Sequence, residues 1–203
     1  MRRGRFIVLE GGEGTGKSTL LPRLAARLRS RGVAVVETRE PGGTSVGEGV
    51  RVLLRDELDP WAETFLFLAA RAQLTAEVIR PALAQGVWVI CDRFAASTLA
   101  YQGYGRGLDL QALRLLNGVA TGNLEPDLTI LLDIDPVEGL RRKGAQPGDV
   151  RTGTEALAFH ERVRKGYREL CAASPDRWVL VDAAQPLEAV ESAAWDAVAA
   201  LLL

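Results

Sequence analysis

Between Glu10 and Thr19 the chain reads EGGEGTGKST. Gly11 to Ser18 fit G-x-x-x-x-G-K-[ST], the loop that cradles a nucleoside triphosphate. The chemistry dictates the residue types. Phosphate oxygens need several donors at once, and a glycine-rich turn lets successive backbone N–H groups point inward. A helix that starts at the loop adds positive potential at its N-terminus. Gly11, Gly12, Gly14, Thr15, Gly16 and Thr19 therefore read as contacts to ATP. Lys17 reads as the cation for the β- and γ-phosphates, and Ser18 as a ligand of Mg²⁺. Glu13 is out of place, an acid in a loop that collects anions.

Other groups of the same chemistry lie downstream. Asp92 ends the apolar run VWVICD, where a carboxylate can hold magnesium through water, or simply cap the next helix. TREPGGT (38–44) sets Arg39 and Glu40 beside a turn at Pro41; alone it is equally a plain surface turn. DRFAASTLAYQGYGRG (92–107) concentrates Arg93, Ser97, Tyr101, Gln102 and Arg106 just after a buried run. In FLFLAARAQL (65–74), Arg71 follows Phe67 by four residues and shares its helix face. An arginine beside an aromatic ring suits a nucleotide base, and suits equally an arginine reaching for solvent. LRRKGAQPGDVRTG (140–153) is rich in cations and carries Gly and Pro, as a mobile lid or a solvated basic loop would.

These residues need a frame. Five short apolar runs, 5–9, 33–38, 87–91, 128–134 and 177–182, read as strands buried on both faces. Helical patterns fall between them, at about 17–31, 46–55, 60–84, 95–103, 109–120, 136–144, 155–172 and 186–202. The alternation predicts an α/β chain, a three-layer α/β/α sandwich on a five-stranded parallel sheet. Ligands of such sheets bind at the carboxyl ends of the strands. Glu10, Thr38, Asp92 and, less informatively, Asp135 begin the segments that follow a strand end.

Composition narrows the classes. The 203 residues suit one domain, 1–203, with the lid at about 141–153. Apolar residues make up 47% and charged residues 25%, and the net charge is −1, so no nucleic-acid partner is expected. Cys91 and Cys171 match no metal or redox spacing, which points to a reducing cytoplasm. MRRGRFIVLE is too short in apolar residues for a leader or membrane span, and no membrane partner is expected. No Asn-Lys-x-Asp guanine motif stands in the chain, against a GTP switch. Another nucleotide or nucleoside kinase, or a loop protein that only binds, stays open on the residues alone. His160, the single histidine, reads as a surface or packing residue.

The segments GGEGTGKST, TREPGGT, FLFLAARAQL, CDRFAASTLAYQG and GRG, in that order between Phe6 and about Val190, resemble the thymidylate kinase family. Gly14 resembles the bacterial form; the eukaryotic form carries an arginine there. The resemblance implies a P-loop nucleoside monophosphate kinase-like fold. It implies transfer of the γ-phosphate of MgATP to dTMP, giving dTDP and ADP, for dTTP synthesis. Phe67 would stack on thymine, Arg71 would bond its O4 edge, and Ser97 and Gln102 would line the base pocket. Tyr101 would lie under the deoxyribose. Arg39 and Arg93, with Pro41 beside them, would hold the acceptor phosphate, and Glu13 would approach the sugar 3′-hydroxyl. The choice between dTMP and dUMP stays open. The resemblance implies a homodimer; the apolar helical stretches 60–84 and 109–120 could supply its interface and could equally be core. It also implies that the lid supplies the transition-state arginine: Arg142 and Arg151 are the candidates, then Arg141, with Arg106 as a further possibility. Gly14 would leave room for that arginine. The family's lid carries an Asp-Arg pair with an acid close behind; here Val150 precedes Arg151 and Glu155 follows four residues later.

Overall fold

The computed structural model describes residues 3–144 and 155–202. Strands β1 (Phe6–Glu10), β2 (Val35–Arg39), β3 (Trp88–Asp92), β4 (Leu128–Asp133) and β5 (Trp178–Asp182) form one sheet in the order β2-β3-β1-β4-β5. Every pairing in it is parallel. Each strand lies within two residues of its apolar run. All five residues of β1 are buried, which is why that run is continuously apolar rather than alternating.

The helices are α1 (Lys17–Arg29), α2 (Ser45–Leu53), α3 (Pro60–Leu74), α4 (Arg80–Ala84), α5 (Ala95–Thr98), α6 (Leu110–Thr121), α7 (Pro136–Lys143), α8 (Leu157–Ala172) and α9 (Leu187–Ala199). Their starts are written locally. The side chains of Asp59, Asp109 and Asp135 each accept a backbone N–H in the first turn of α3, α6 and α7. Successive residues of β1 point to opposite layers. Ile7 and Leu9 pack with Leu20, Leu24 and Leu28 of α1 and Trp195 of α9. Phe6 and Val8 pack with Leu74, Ile79, Leu83 and Phe94 on the other face. Each buried leucine of these layers contributes about 2 kcal/mol of apolar transfer.

Two expected helices are not uniform. The 60–84 stretch is α3, a π-helical turn (Thr75–Ile79) and α4. Pro81 lies at the start of α4 and cannot donate to the preceding turn, so the backbone widens just before it. The 95–103 stretch is α5 followed by a longer π-helical segment, Leu99–Gly105. The chain passes from β1 to β2 on one side and from β3 to β4 on the other. The switch point is therefore the crevice between the carboxyl ends of β1 and β3, where Leu9 sits opposite Asp92.

Candidate active site

The loop between β1 and α1 turns on three glycines in left-handed conformations: Gly11 (φ 143°), Gly14 (φ 64°) and Gly16 (φ 89°). Lys17 is folded back onto it. Its Nζ donates to the carbonyls of Gly11 (3.0 Å) and Gly12 (2.9 Å) and to Thr15 Oγ1 (3.1 Å). Burial lowers the ammonium to about 8, and Arg93 adds to the effect. The loop rests on α7. A Cβ on Gly14 would fall 1.9 Å from the Gly139 carbonyl oxygen, so close backbone contact requires glycine there.

Asp92 lies beside this loop at the end of β3, and its buried Oδ1 has no hydrogen-bond partner. It does not cap α5. That task falls to Glu10 of β1, whose Oε1 accepts from Phe94 N (2.9 Å) and Ser97 N (3.2 Å). Glu10 Oε2 accepts from Ser97 Oγ (2.7 Å) and Tyr167 Oη (2.8 Å). Complete burial raises the Glu10 carboxyl even so. Asp92 thus keeps one buried oxygen without a partner, and the residue lines the same cavity as Ser18. A carboxylate with an oxygen left unpaired and a hydroxyl on the same cavity fit Mg²⁺, which takes one or two protein oxygens and fills its octahedron with water and phosphate.

Arg93 follows β3 in a left-handed conformation, φ 69°, which costs a non-glycine residue about 1–2 kcal/mol. Its surroundings fix it there. Its backbone N–H donates to Leu9 (2.9 Å). One Nη donates to the Gly11 carbonyl (3.0 Å) and Tyr167 Oη (3.2 Å), the other to Glu13 (3.1 Å) and Tyr101 Oη (3.0 Å). Glu13 also accepts from Tyr101 Oη (2.9 Å) and Lys143 Nζ (2.8 Å). Burial alone would raise the Glu13 carboxyl, but Arg93, Lys17 and Lys143 outweigh it and hold it far below the usual range. The acid in the loop is the counter-ion of the arginine that crosses to it.

Opposite the loop stands an apolar wall with polar teeth. Arg71 is buried at 1% exposure and does not reach solvent. Its guanidinium donates to Glu40 (2.8 Å), Thr98 Oγ1 (2.7 Å), Asn117 Oδ1 (2.6 Å) and the Phe94 carbonyl (3.0 Å). Burial raises the Glu40 carboxyl, against the pull of Arg71. Phe67 packs on the cluster of Val50, Leu54 and Ala70 and lines the cavity. The π-helical segment brings Tyr101 and Gln102 to that cavity together with Ser97. An α-helix would turn residues one apart by a wide angle, and the wider π turn relaxes this.

One cavity of about 660 Å³ joins the two halves. Glu13 to Thr19, Arg39, Pro41, Phe67, Arg71, Asp92, Arg93, Ser97, Tyr101, Gln102 and Arg142 all line it. Gly11 and Gly12 do not; their carbonyls orient Lys17 and Arg93. Arg106, tied to Glu63 and Glu155, and Arg141, which shares Glu138 with Arg142, do not line it. Arg151 and lid positions 145–153 lie outside the described residues. Sequence reasoning missed Arg51 and Lys143 of the cavity wall, and Glu10 and Tyr167 behind it. Lys17, Arg39, Arg51, Arg71, Arg93, Arg142 and Lys143 face Glu13, Glu40 and Asp92, a cationic excess suited to phosphorylated ligands. His160 is buried behind the loop, where burial lowers its pKa. No helix among the described residues is long and apolar enough to cross a membrane.

A family model described as thymidylate kinase matches residues 9–194. The chain is 50% identical over 201 residues to the thymidylate kinase of Deinococcus radiodurans, covering 98% of each chain. It is 50% identical over 208 residues to that of Solidesulfovibrio magneticus, covering 97% of this chain and 100% of the relative. With that of a Synechococcus species it shares 53% identity over 201 residues, 98% of this chain and 97% of the relative.

Proposed function

The chain belongs to the thymidylate kinase family and transfers the γ-phosphate of ATP to dTMP, and we propose that it does so with the two halves of this one cavity as donor and acceptor sites. The carrying observation is the shared cavity: the phosphate loop forms one wall and Phe67, Arg71, Tyr101 and Gln102 the other.

In this reading the backbone of Gly14 to Thr19 and the Lys17 ammonium bind the ATP phosphates. Ser18 and Asp92 would hold Mg²⁺, which when bound would supply charge neutralisation at the β- and γ-phosphates. Arg39 and Arg93 hold the acceptor phosphate. Arg39 suits that task because its side chain is 56% exposed at the cavity rim. Phe67 stacks on thymine, and Arg71 and Gln102 meet its edge with Ser97 behind. Tyr101 and Glu13 face the sugar. Arg142 approaches the transferring group from the α7 side, where Glu138 and the Ala183 carbonyl (2.8 Å) hold it. No base is needed, because a phosphate monoester is already ionised near neutral pH. Positioning and charge neutralisation carry the rate. The product feeds dTTP synthesis, in the cytoplasm.

A homodimer belongs to the same reading. Val52, Leu53, Phe65, Leu115 and Val119 on α2, α3 and α6 are exposed apolar residues, and these helices pack side by side. Such a surface is what a paired helical layer would cover.

The test is Phe67→Ala. Loss of an aromatic stack costs about 1–3 kcal/mol. KM for dTMP should rise about tenfold or more while KM for ATP stays within about twofold. Equal rises in both, or none, would overturn the assignment of the acceptor wall.

A further inference from the structure

Behind the acceptor wall lies a carboxylate that does not line the cavity. Glu63, in the first turn of α3, is buried. Its Oε1 accepts from Gln102 Nε2 (2.6 Å) and Arg106 Nε (2.9 Å), and its Oε2 accepts from Arg106 Nη2 (2.8 Å). Arg106 is itself held by Glu155 at 3.0 Å and lies over the Phe159 ring at 5.3 Å. This side-on grip on both oxygens stops the carboxylate from turning. A carboxylate can only accept, so Gln102 must set its amide nitrogen against it. The carbonyl end is then fixed as well, and Gln102 lines the cavity.

We propose that Glu63 is a positioning residue for base specificity, locking the Gln102 amide so that its carbonyl oxygen is presented to the base. The inference rests on the reading of Gln102 as a base contact. An acceptor there matches a pyrimidine whose ring N3 carries a hydrogen, as in thymine and uracil. Cytosine has a lone pair at N3, so acceptor would meet acceptor, and one of them would stay unpaired in a desolvated site. An unlocked glutamine loses this discrimination, because half a turn about its last torsion exchanges the two ends. Exclusion of the aminated base is thereby set by a side chain that never touches it, a repulsive element in the sense of specificity by difference.

The experiment compares the full-length protein with Glu63→Gln, Gln102→Ala and the double variant, using dTMP, dUMP and dCMP. Glu63→Gln keeps the volume but turns one accepting arm into a donor, which then faces Arg106 or Gln102. A hydrogen bond to a charged group orients its partner by about tenfold. The dTMP to dCMP ratio of kcat/KM should therefore fall about tenfold in Glu63→Gln. The dTMP to dUMP ratio should stay within about twofold, because both bases carry N3–H. The fall should come mainly through KM, and Glu63→Gln should have no further effect on the ratio once Gln102 is alanine. General distortion of the pocket would move both ratios and would overturn the proposal. So would an unchanged dTMP to dCMP ratio beside a raised KM for dTMP in Gln102→Ala; that outcome leaves the base contact standing. If Gln102→Ala changes neither KM nor the ratio, the base contact itself fails, and the proposal with it. Should Glu63→Gln melt below the assay temperature, Glu63→Asp carries the same expectation, since it withdraws the carboxylate by one methylene and keeps its charge for Arg106.

Discussion

Gly139→Ala tests whether the phosphate loop is positioned by the helix behind it. Gly139 is buried in α7 and lines no part of the cavity. Helix propensity alone favours alanine by about 1 kcal/mol. The packing argues the other way. A Cβ on Gly139 would meet the Glu13 carbonyl oxygen at 2.3 Å and Ile134 Cγ2 at 3.2 Å. Ordinary contact begins near 3.4 Å, so loop and helix must separate by about 1 Å. Overpacking of this kind costs about 1–3 kcal/mol, leaving a net loss of about 0–2 kcal/mol. For a chain of this size that is a fall in Tm of at most about 8 °C. The kinetic effect is larger, because the displaced atom belongs to Glu13, the partner of Arg93 and Lys143. A displacement of about 1 Å in a catalytic frame costs on the order of a hundredfold in rate. The assay is a melting curve beside steady-state ADP formation with each nucleotide varied in turn. A near-normal Tm with kcat/KM down by tenfold or more is the expected pattern. A raised Tm with wild-type kinetics would refute the reasoning, because it would mean that the loop does not rest on α7.

Asp92→Asn should leave Tm within a few degrees, since the buried Oδ1 has no protein partner to lose, but should lower kcat by roughly a hundredfold and weaken the response to added Mg²⁺. Wild-type turnover in that variant would remove Asp92 from the metal site. Val119→Asp places a charge on a side chain that is 74% exposed in the apolar α2–α3–α6 face. Sedimentation should show a wild-type dimer and a monomeric variant; a wild-type monomer at micromolar concentration would contradict the proposed pairing.

Much of the fold was legible because its signals are local. Buried parallel strands are short continuous apolar runs, and Asp59, Asp109 and Asp135 mark helix starts in the sequence itself. The loop was legible for the same reason, since its glycines and Lys17 act through their own backbone neighbourhood. What escaped depends on contacts between distant segments. Glu10 reads as the last residue of a strand, and nothing near it announces that it caps a helix 84 residues away. Tyr167 lies 157 residues from the carboxylate it donates to. The π-helical segment escaped because 95–103 reads as ordinary helix, and a one-residue change in hydrogen-bond ladder has no periodicity of its own. The close contact of Gly14 with Gly139 escaped on the same ground, since the backbone it meets comes from α7.

The charged residues of this site also show why residue type alone under-determines role. Arg71 was expected to offer donors to a base, yet each arm of its guanidinium already meets a protein acceptor. A base edge at Arg71 must then share a donor, so its contribution to affinity is smaller than that of a free arginine. Removing it would in addition leave Glu40 as a buried carboxylate without its cation, a loss of about 3–5 kcal/mol of stability. Arg39 is the reverse case, exposed and held by one carboxylate at 3.1 Å. The same residue type thus serves as a buried scaffold at one place and an available ligand at the other. Glu13 obeys the same logic. As a lone carboxylate it would oppose the ATP phosphates, but Arg93, Lys17 and Lys143 surround it, so what a substrate meets is the excess positive charge of the cluster. An acid is tolerable in an anion-binding loop because the cations that surround it come from three separate elements, and only the fold brings them together.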